Sequence, residues 1–98
     1  MAYGIRFAES VKGQIRQLSA RQRVQLMDAI EQQLPYEPTV ETKNRKPLRP
    51  NPLAPWELRV GDLRVFYEVA TQENEVHVLA VGQKRGNTVW VGGKEVRL

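Results

Sequence analysis

Apolar residues recur at helical spacing near the start of the chain. The first stripe consists of Phe7, Val11, Ile15 and Leu18. A short strand over residues 3–7 is predicted just before it. Ser19 and Gln22 then have the spacing of a capping box, in which the serine hydroxyl accepts from a first-turn amide and the glutamine reaches back. A second helix should therefore begin almost at once, and so short a connection favours an antiparallel helix hairpin.

The second predicted helix also carries one apolar stripe. Its buried side is expected to use Val24, Met27, Ile30 and Leu34, with Leu26 at the margin. Such a stripe covers one side of the helix only, so the hairpin needs another layer to pack against.

All six prolines fall between residues 35 and 55. This window is neither a helix interior nor a central strand, because proline lacks the amide that both require. We expect an ordered loop that follows the surface in stiff, extended segments. A connection of this length is either a functional loop or contains a further element that the pattern does not reveal.

Alternation of apolar and polar residues begins at Trp56 and predicts an antiparallel meander. The strands are 56–60, 63–70 and 76–82, with turns at Gly61-Asp62 and at residues 72–74, and residues 88–91 form a short strand or irregular edge segment. The predicted fold is α+β: a helix hairpin on one face of a twisted antiparallel sheet of about four strands, with the first strand at an edge or beside the last. The expected core residues are Met27, Ile30, Leu58, Val65, Tyr67, Val69, Val76 and Val78.

The tight turn at Gly61-Asp62 sets two arginines against each other. In a two-residue hairpin Val60 pairs with Leu63, so Arg59 lies across from Arg64 on the face opposite the apolar side chains. Like charges directly opposite each other destabilise a sheet. The pair is therefore either fully solvated or used to hold an anion.

Composition narrows the function classes. The 98 residues contain no cysteine, which excludes disulfides and thiolate metal sites, and they lack a signal-peptide pattern and an apolar run long enough to span a membrane. These features predict a cytoplasmic protein with no membrane partner. The net charge is +4 and the isoelectric point is about 9.8, so a polyanion or an acidic protein is the expected partner.

The basic residues are grouped, which favours nucleic acid. Lys43, Arg45, Lys46 and Arg49 fall in the proline-rich loop, and Lys84 and Arg85 follow the third strand of the meander. Arginine matches phosphate oxygens in a bidentate way, and the indole of Trp90 could stack on an unpaired base. His77 is expected to be structural, and no metal site or nucleotide-binding loop is predicted.

Two segments carry a resemblance to a known family. They are Arg-Val-Gly-Asp-Leu-Arg-Val-Phe-Tyr-Glu-Val at residues 59–69 and Val-Gly-Gln-Lys-Arg at residues 81–85. Together with the helix hairpin and the basic loop, they resemble the RelE/ParE superfamily of toxins from type II toxin–antitoxin systems. The resemblance covers essentially the whole chain, 1–98, as a single RelE-like toxin domain with a proline-rich basic loop at 35–55.

The ribosome-dependent members of this family cleave messenger RNA (mRNA) on the ribosome without a metal or other cofactor. The resemblance implies the same activity for this chain. The implied catalytic residues are Arg64 on the scissile phosphate, Arg59 supporting it, Lys84 near the leaving oxygen and Trp90 as the late aromatic. The grouping of positive charge adds Lys43, Arg45, Lys46, Arg49 and Arg85 as the expected nucleic-acid-binding residues. The implied partners are an acidic antitoxin, mRNA and the ribosome.

Two residues depart from the pattern of the ribosome-dependent members. Glu57 stands where those members often have a basic residue, and Trp90 stands where they commonly have tyrosine. Glu57 is expected to pair with Arg59, and the alternative is that it acts as a base. These departures leave two other functions open: a ParE-like gyrase inhibitor that is not a nuclease, and a degenerate toxin that acts only as a partner-binding module.

Overall fold

The computed structural model describes residues 2–97. Two helices, α1 (Glu9–Arg16) and α2 (Ala20–Gln33), lie near the N-terminus, and a 3₁₀ turn (Thr71–Glu73) lies between two long strands. The strands are β1 (Gly4–Phe7), β2 (Arg45–Pro47), β3 (Trp56–Val60), β4 (Leu63–Ala70), β5 (Glu75–Arg85), β6 (Thr88–Val91) and β7 (Lys94–Val96). The predicted α+β arrangement is confirmed.

The described strands form one seven-stranded sheet with the order β2-β3-β4-β5-β6-β7. All of these neighbours are antiparallel, and β1 runs parallel to the first half of β5 at the sheet edge. The expectation of about four strands was too low. The strands that it missed, β2 and β7, have three residues each, which is too short to show an alternating pattern.

The capping box at the start of α2 is confirmed. Ser19 Oγ accepts from the Gln22 amide at 3.1 Å, and Gln22 Oε1 accepts from the Ser19 amide at 3.0 Å. Ile30 and Leu34 are buried as predicted and Met27 is partly buried, but Val24 is 61% exposed and Leu26, which was expected at the margin, is fully buried. Residues at intervals of four, Leu26, Ile30 and Leu34, face the sheet and displace Val24 to the outside.

The main core lies between the helices and one face of the sheet. Its buried members are Val11, Leu26, Ile30, Leu34, Leu58, Leu63, Val65, Tyr67, Val76, Val78 and Val81. All eight predicted core residues belong to this layer, with Met27 and Val69 only partly buried. Alternation on β3 and β4 therefore identified the inner face correctly.

The proline-rich loop covers part of the other face. Leu48, Leu53 and Ala54 from this loop pack with Phe66 of β4 and Ala80 of β5 in a second, smaller core. The buried hydroxyl of Tyr67 donates to the Pro38 carbonyl at 2.6 Å and fixes the start of the loop. The loop is therefore packed on the sheet as expected, and β2 is the further element within it.

A β-bulge in β5 changes which residues face the helices. Phe66 pairs with Ala80 while Tyr67 pairs with Val78, so Leu79 is an extra residue. Gln14 of α1 satisfies the backbone beyond the bulge, since its Oε1 accepts from the Val81 amide at 2.8 Å. Before the bulge the even-numbered residues of β5 face the helices, and after it the odd-numbered ones do. Lys84 consequently lies on the loop side of the sheet.

Candidate functional site

Three of the four predicted catalytic residues meet in one cleft on the loop side of the sheet. Arg59 of β3, Arg64 of β4 and Lys84 of β5 line a cavity of about 520 Å³. Register explains the grouping: Arg59 pairs with Arg64 as predicted, Arg64 pairs with Gly82, and Lys84 is the next residue of β5 on that face. The bulge is what brings Lys84 to this side.

A buried carboxylate joins the two arginines. Glu57 is 4% exposed, and its Oε2 accepts from Arg59 Nε at 3.0 Å while its Oε1 lies 3.6 Å from Arg64 Nε. The expected pairing of Glu57 with Arg59 is confirmed, and the contact to Arg64 was not foreseen. A negative charge between two positive ones offsets the repulsion that like charges on neighbouring strands would otherwise produce.

The two arginines differ in their freedom to contact a ligand. Arg64 is buried, and its Nη1 donates to the Gly61 and Leu63 carbonyls at 2.7 and 2.8 Å. The Arg59 side chain is 48% exposed. Arg64 therefore holds its own turn together as well as lining the cleft, and Arg59 is the member of the pair that presents more surface to a bound anion.

Glycine at position 82 permits the close approach of β6 to β5. A Cβ there would lie 2.5 Å from the Trp90 carbonyl oxygen and 2.8 Å from Val91 Cγ2, which no packed structure accommodates without a shift. The short separation places Thr88 and Val89 in the wall of the cleft beside Lys84. Gly82 thus allows β6 to form the wall of the cleft on that side.

Trp90 does not join this cleft. Val89 and Val91 pack in the loop-side core, so alternation along β6 turns Trp90 to the helix side, where it lines a separate cavity of about 230 Å³ with Gln14 of α1 and Leu18 of the α1–α2 connection. Arg85 lies there too, with its guanidinium carbon 5.9 Å from the centre of the Trp90 ring. The position of Trp90 shortly after Lys84 in the sequence suggested that the two side chains are close. It did not show which face of the sheet Trp90 occupies.

The family model described as the ParE toxin of type II toxin–antitoxin systems, parDE, matches residues 5–87. The chain belongs to the ParE toxin family. The match takes in Arg59, Arg64 and Lys84 and ends before β6 and β7, so the outer wall of the cleft lies beyond the matched region.

Two solved structures resemble the chain of this ParE-family toxin in fold. One is the RelBE2 toxin–antitoxin complex from Mycobacterium tuberculosis, with a TM-score of 0.74 and 23% identity over 86% of this chain and 93% of that one. The other is the archaeal RelE–RelB complex from Pyrococcus horikoshii OT3, with a TM-score of 0.69 and 23% identity over 88% of this chain and 98% of that one. A comparison with curated proteins gives no match.

The basic loop of this ParE-family chain is not one cationic surface. Arg45 is buried, and its guanidinium donates to the carbonyls of Gln33 at 2.8 Å, Val40 at 3.1 Å and Tyr36 at 3.3 Å. It thereby satisfies the C-terminal end of α2 and the chain that follows. Lys46 forms an ion pair with Glu41, in which Nζ lies 3.4 Å from Oε2. Lys43 and Arg49 are exposed but lie outside the lining of the cleft.

Sequence reasoning missed three polar residues in the cleft wall. Asn87, Glu95 and Arg97 line the cavity, the last two from β7 and the residue after it. The glycine pair at 92 and 93 was the available signal, since two adjacent glycines with positive φ make a tight turn that returns β7 along β6.

His77 lies at the other end of β5, away from the cleft. Its Nε2 is 3.2 Å from Glu75 Oε1 and its Nδ1 is 3.5 Å from Glu68 Oε2. The hydrogen bond to Glu75 raises the pKa of His77, and the same bond lowers the pKa of Glu75. The pair is therefore favoured in its charged form.

Glu73, Glu75 and His77 also form the kind of group that could hold a divalent cation. Each offers a ligand atom, and these atoms lie within 4.8 Å of one another. The 3₁₀ turn brings Glu73 back toward the strand, which sequence spacing did not show. Glu73 is exposed, and Glu75 Oε2 already lies 3.7 Å from Nη1 of Arg6 on β1. These contacts favour an ion-pair network over a cation site.

Neither helix in the described part of the chain has the length and apolar character needed to cross a bilayer.

Proposed function

We propose that this ParE-family toxin is an endoribonuclease that cleaves mRNA on the ribosome. The observation that supports it is the convergence of Arg59, Arg64 and Lys84 on one face of the sheet, around an open cleft of about 520 Å³. In this proposal the RNA strand enters that cleft. Guanidinium groups bind phosphate oxygens in a bidentate way, and fixed positive charge stabilises a phosphorane-like transition state.

The reaction requires no oxidant or reductant. The O2′–P bond forms as the 2′-hydroxyl loses its proton, and the P–O5′ bond breaks as the leaving 5′-oxygen gains one. The products are a 2′,3′-cyclic phosphate and a 5′-hydroxyl end. In this proposal Arg59 and Arg64 bind the phosphate, and Lys84 acts at the leaving oxygen.

The test is induction of the toxin in cells followed by mapping of transcript ends. Lys84→Ala and Lys94→Ala form a matched pair, because both remove one lysine charge and Lys94 is an exposed residue outside the cleft lining. New ends within translated messages should appear with the parent and with Lys94→Ala, and should disappear with Lys84→Ala. Growth arrest with intact messages would refute ribonuclease action.

Gyrase inhibition is the second candidate function. Two observations favour it: the family model that matches is that of ParE toxins, and Trp90 lies on the face opposite the proposed phosphate site. Induction would then leave transcripts intact, cause DNA damage and block gyrase-dependent supercoiling. A parent chain that causes neither effect would instead be a degenerate toxin that only binds a partner.

An antitoxin is the protein partner that this proposal requires. Both solved structures of similar fold are toxin–antitoxin complexes. The positive charge of the chain suits an acidic partner whose extended or helical segment covers the cleft. Co-expression with a small acidic protein encoded in the neighbouring reading frame should restore growth.

A further inference from the structure

The cleft contains its own anion. Glu57 lines the cleft, and each of its carboxylate oxygens lies near the Nε of one arginine. Its surroundings leave it 4% exposed, and every buried side-chain nitrogen and oxygen within residues 2–97 has a hydrogen-bond partner. The positive charge that an incoming phosphate meets is therefore already partly neutralised.

We propose that Glu57 is a specificity-determining residue that keeps the affinity of the cleft for free phosphate groups low. The inference rests on the proposed nucleic-acid function and deepens it. A strand is bound in the cleft only when other contacts hold it there, as on a translating ribosome. Free single-stranded nucleic acid and small phosphates are not retained.

The contacts of the two arginines support this role. An anion that docks on Arg59 meets the negative charge of Glu57 only 3.0 Å from the Arg59 Nε. Arg64 has its Nη1 engaged by two carbonyls and its Nε directed at the same carboxylate. Both the repulsion and the competition for N–H groups act against a single phosphate.

A positioning role for Glu57 predicts the opposite effect on anion binding. If the carboxylate chiefly oriented the two guanidinium groups, its removal would weaken anion binding. Charge is expected to prevail, because removal of the carboxylate leaves Arg64 buried without a counter-ion, and a bound phosphate would supply one. The sign of the change in affinity therefore separates the two roles.

The experiment measures binding of inorganic phosphate and of a short single-stranded DNA oligonucleotide, which has no 2′-hydroxyl and is not cleaved. Glu57→Gln should bind both probes roughly tenfold more tightly than the parent, since one nearby like charge is lost. Glu95→Gln is the matched control: it removes the same charge from an exposed position in the same cleft, so a smaller gain is expected. An unchanged or lower affinity of Glu57→Gln would overturn the proposal.

A second measurement covers the case in which Glu57→Gln fails to fold. In the parent, saturating phosphate should shift the Arg59 and Arg64 Nε–H signals in a nitrogen-15 NMR spectrum, because phosphate displaces the carboxylate. Saturation that leaves both signals unchanged would contradict the inference. Neither readout depends on toxicity: tighter binding by Glu57→Gln in a toxin that leaves transcripts intact would retain this inference and remove the proposed ribonuclease function.

Discussion

Arg59 and Arg64 lie directly opposite each other on β3 and β4, and the Glu57 carboxylate contacts the Nε of both. The three residues form a charged unit in which one arginine is buried and the other is half exposed. Stability should therefore depend more on Arg64 than on Arg59.

Loss of Arg64 should affect folding more than loss of Arg59. Arg64→Met leaves the buried Glu57 with one partner and removes the bonds to Gly61 and Leu63, so the free energy of unfolding should fall by roughly 2–4 kcal/mol. Arg59→Met should cost less, at about 1 kcal/mol, because the Arg59 side chain is half exposed and Glu57 keeps its contact with Arg64. Urea unfolding of both variants measures the difference, and equal losses would refute this division.

Arg45 should behave as a structural residue. Arg45→Met removes the donors that satisfy the end of α2, and the free energy of unfolding should fall by about 1.5–3 kcal/mol. Lys43→Met, two residues earlier and exposed, should change it by less than about 0.5 kcal/mol. Thermal unfolding distinguishes them; a stable Arg45→Met that loses only oligonucleotide binding would show that Arg45 binds nucleic acid.

Two glycine-to-alanine changes should act in opposite directions. Gly82→Ala places a Cβ against the Trp90 carbonyl, so we expect a loss of roughly 1–3 kcal/mol and displacement of β6 from the cleft. Gly13→Ala lies in α1, where the added Cβ has no atom within 4 Å apart from its chain neighbours and the helix backbone, and should stabilise the chain by up to about 1 kcal/mol. Denaturant unfolding checks both, and a neutral Gly82→Ala would contradict the close approach of the two strands.

The network around His77 should make stability depend on pH. The pKa of His77 is raised from 6.5, so its contribution is full below about pH 6.5 and is lost as pH rises through the folded-state value. The pKa of Glu75 is lowered from 4.5, so its contribution is present above 4.5 and is lost as pH falls through its folded value. The window of full stabilisation is therefore about pH 5–6.

His77→Gln should flatten the decline in stability above this window. The charged groups around His77 are Glu75 on its own strand, Glu73 in the 3₁₀ turn, Glu68 on β4 and Arg6 on β1. Unfolding measured from pH 4 to 9 on parent and variant gives the comparison. An identical slope in both proteins between pH 6 and 8 would show that another group is responsible.

The sequence predicted the parts of the fold that rest on local chemistry. The Ser19 and Gln22 box, the Gly61-Asp62 turn and alternation along β3 and β4 each reflect neighbouring residues, and all three are confirmed. Val24 was wrongly placed on the buried side of α2, and Leu26 at its margin, because the sheet that selects the buried face lies far away in sequence. The strands β2 and β7 were missed because three residues carry no readable period.

The site was predictable only in part, for a related reason. Arg59 and Arg64 follow from the turn, whereas Lys84 reaches their face through a bulge at Leu79 that nothing in the local pattern indicates. Trp90 was assigned to the same group from its place in the chain, and the alternation of β6 turns it to the other side. Arg45 was assigned from its charge, and burial at the end of α2 explains its contacts instead.

The most direct test of the proposed function uses purified components. A defined mRNA on translating ribosomes is incubated with the parent, Lys84→Ala or Lys94→Ala, and its 5′ ends are then mapped by primer extension. We expect cuts within the translated region with the parent and with Lys94→Ala, and at least a hundredfold slower cutting with Lys84→Ala. Intact mRNA in all three reactions, with gyrase supercoiling blocked by the same parent preparation, would contradict it.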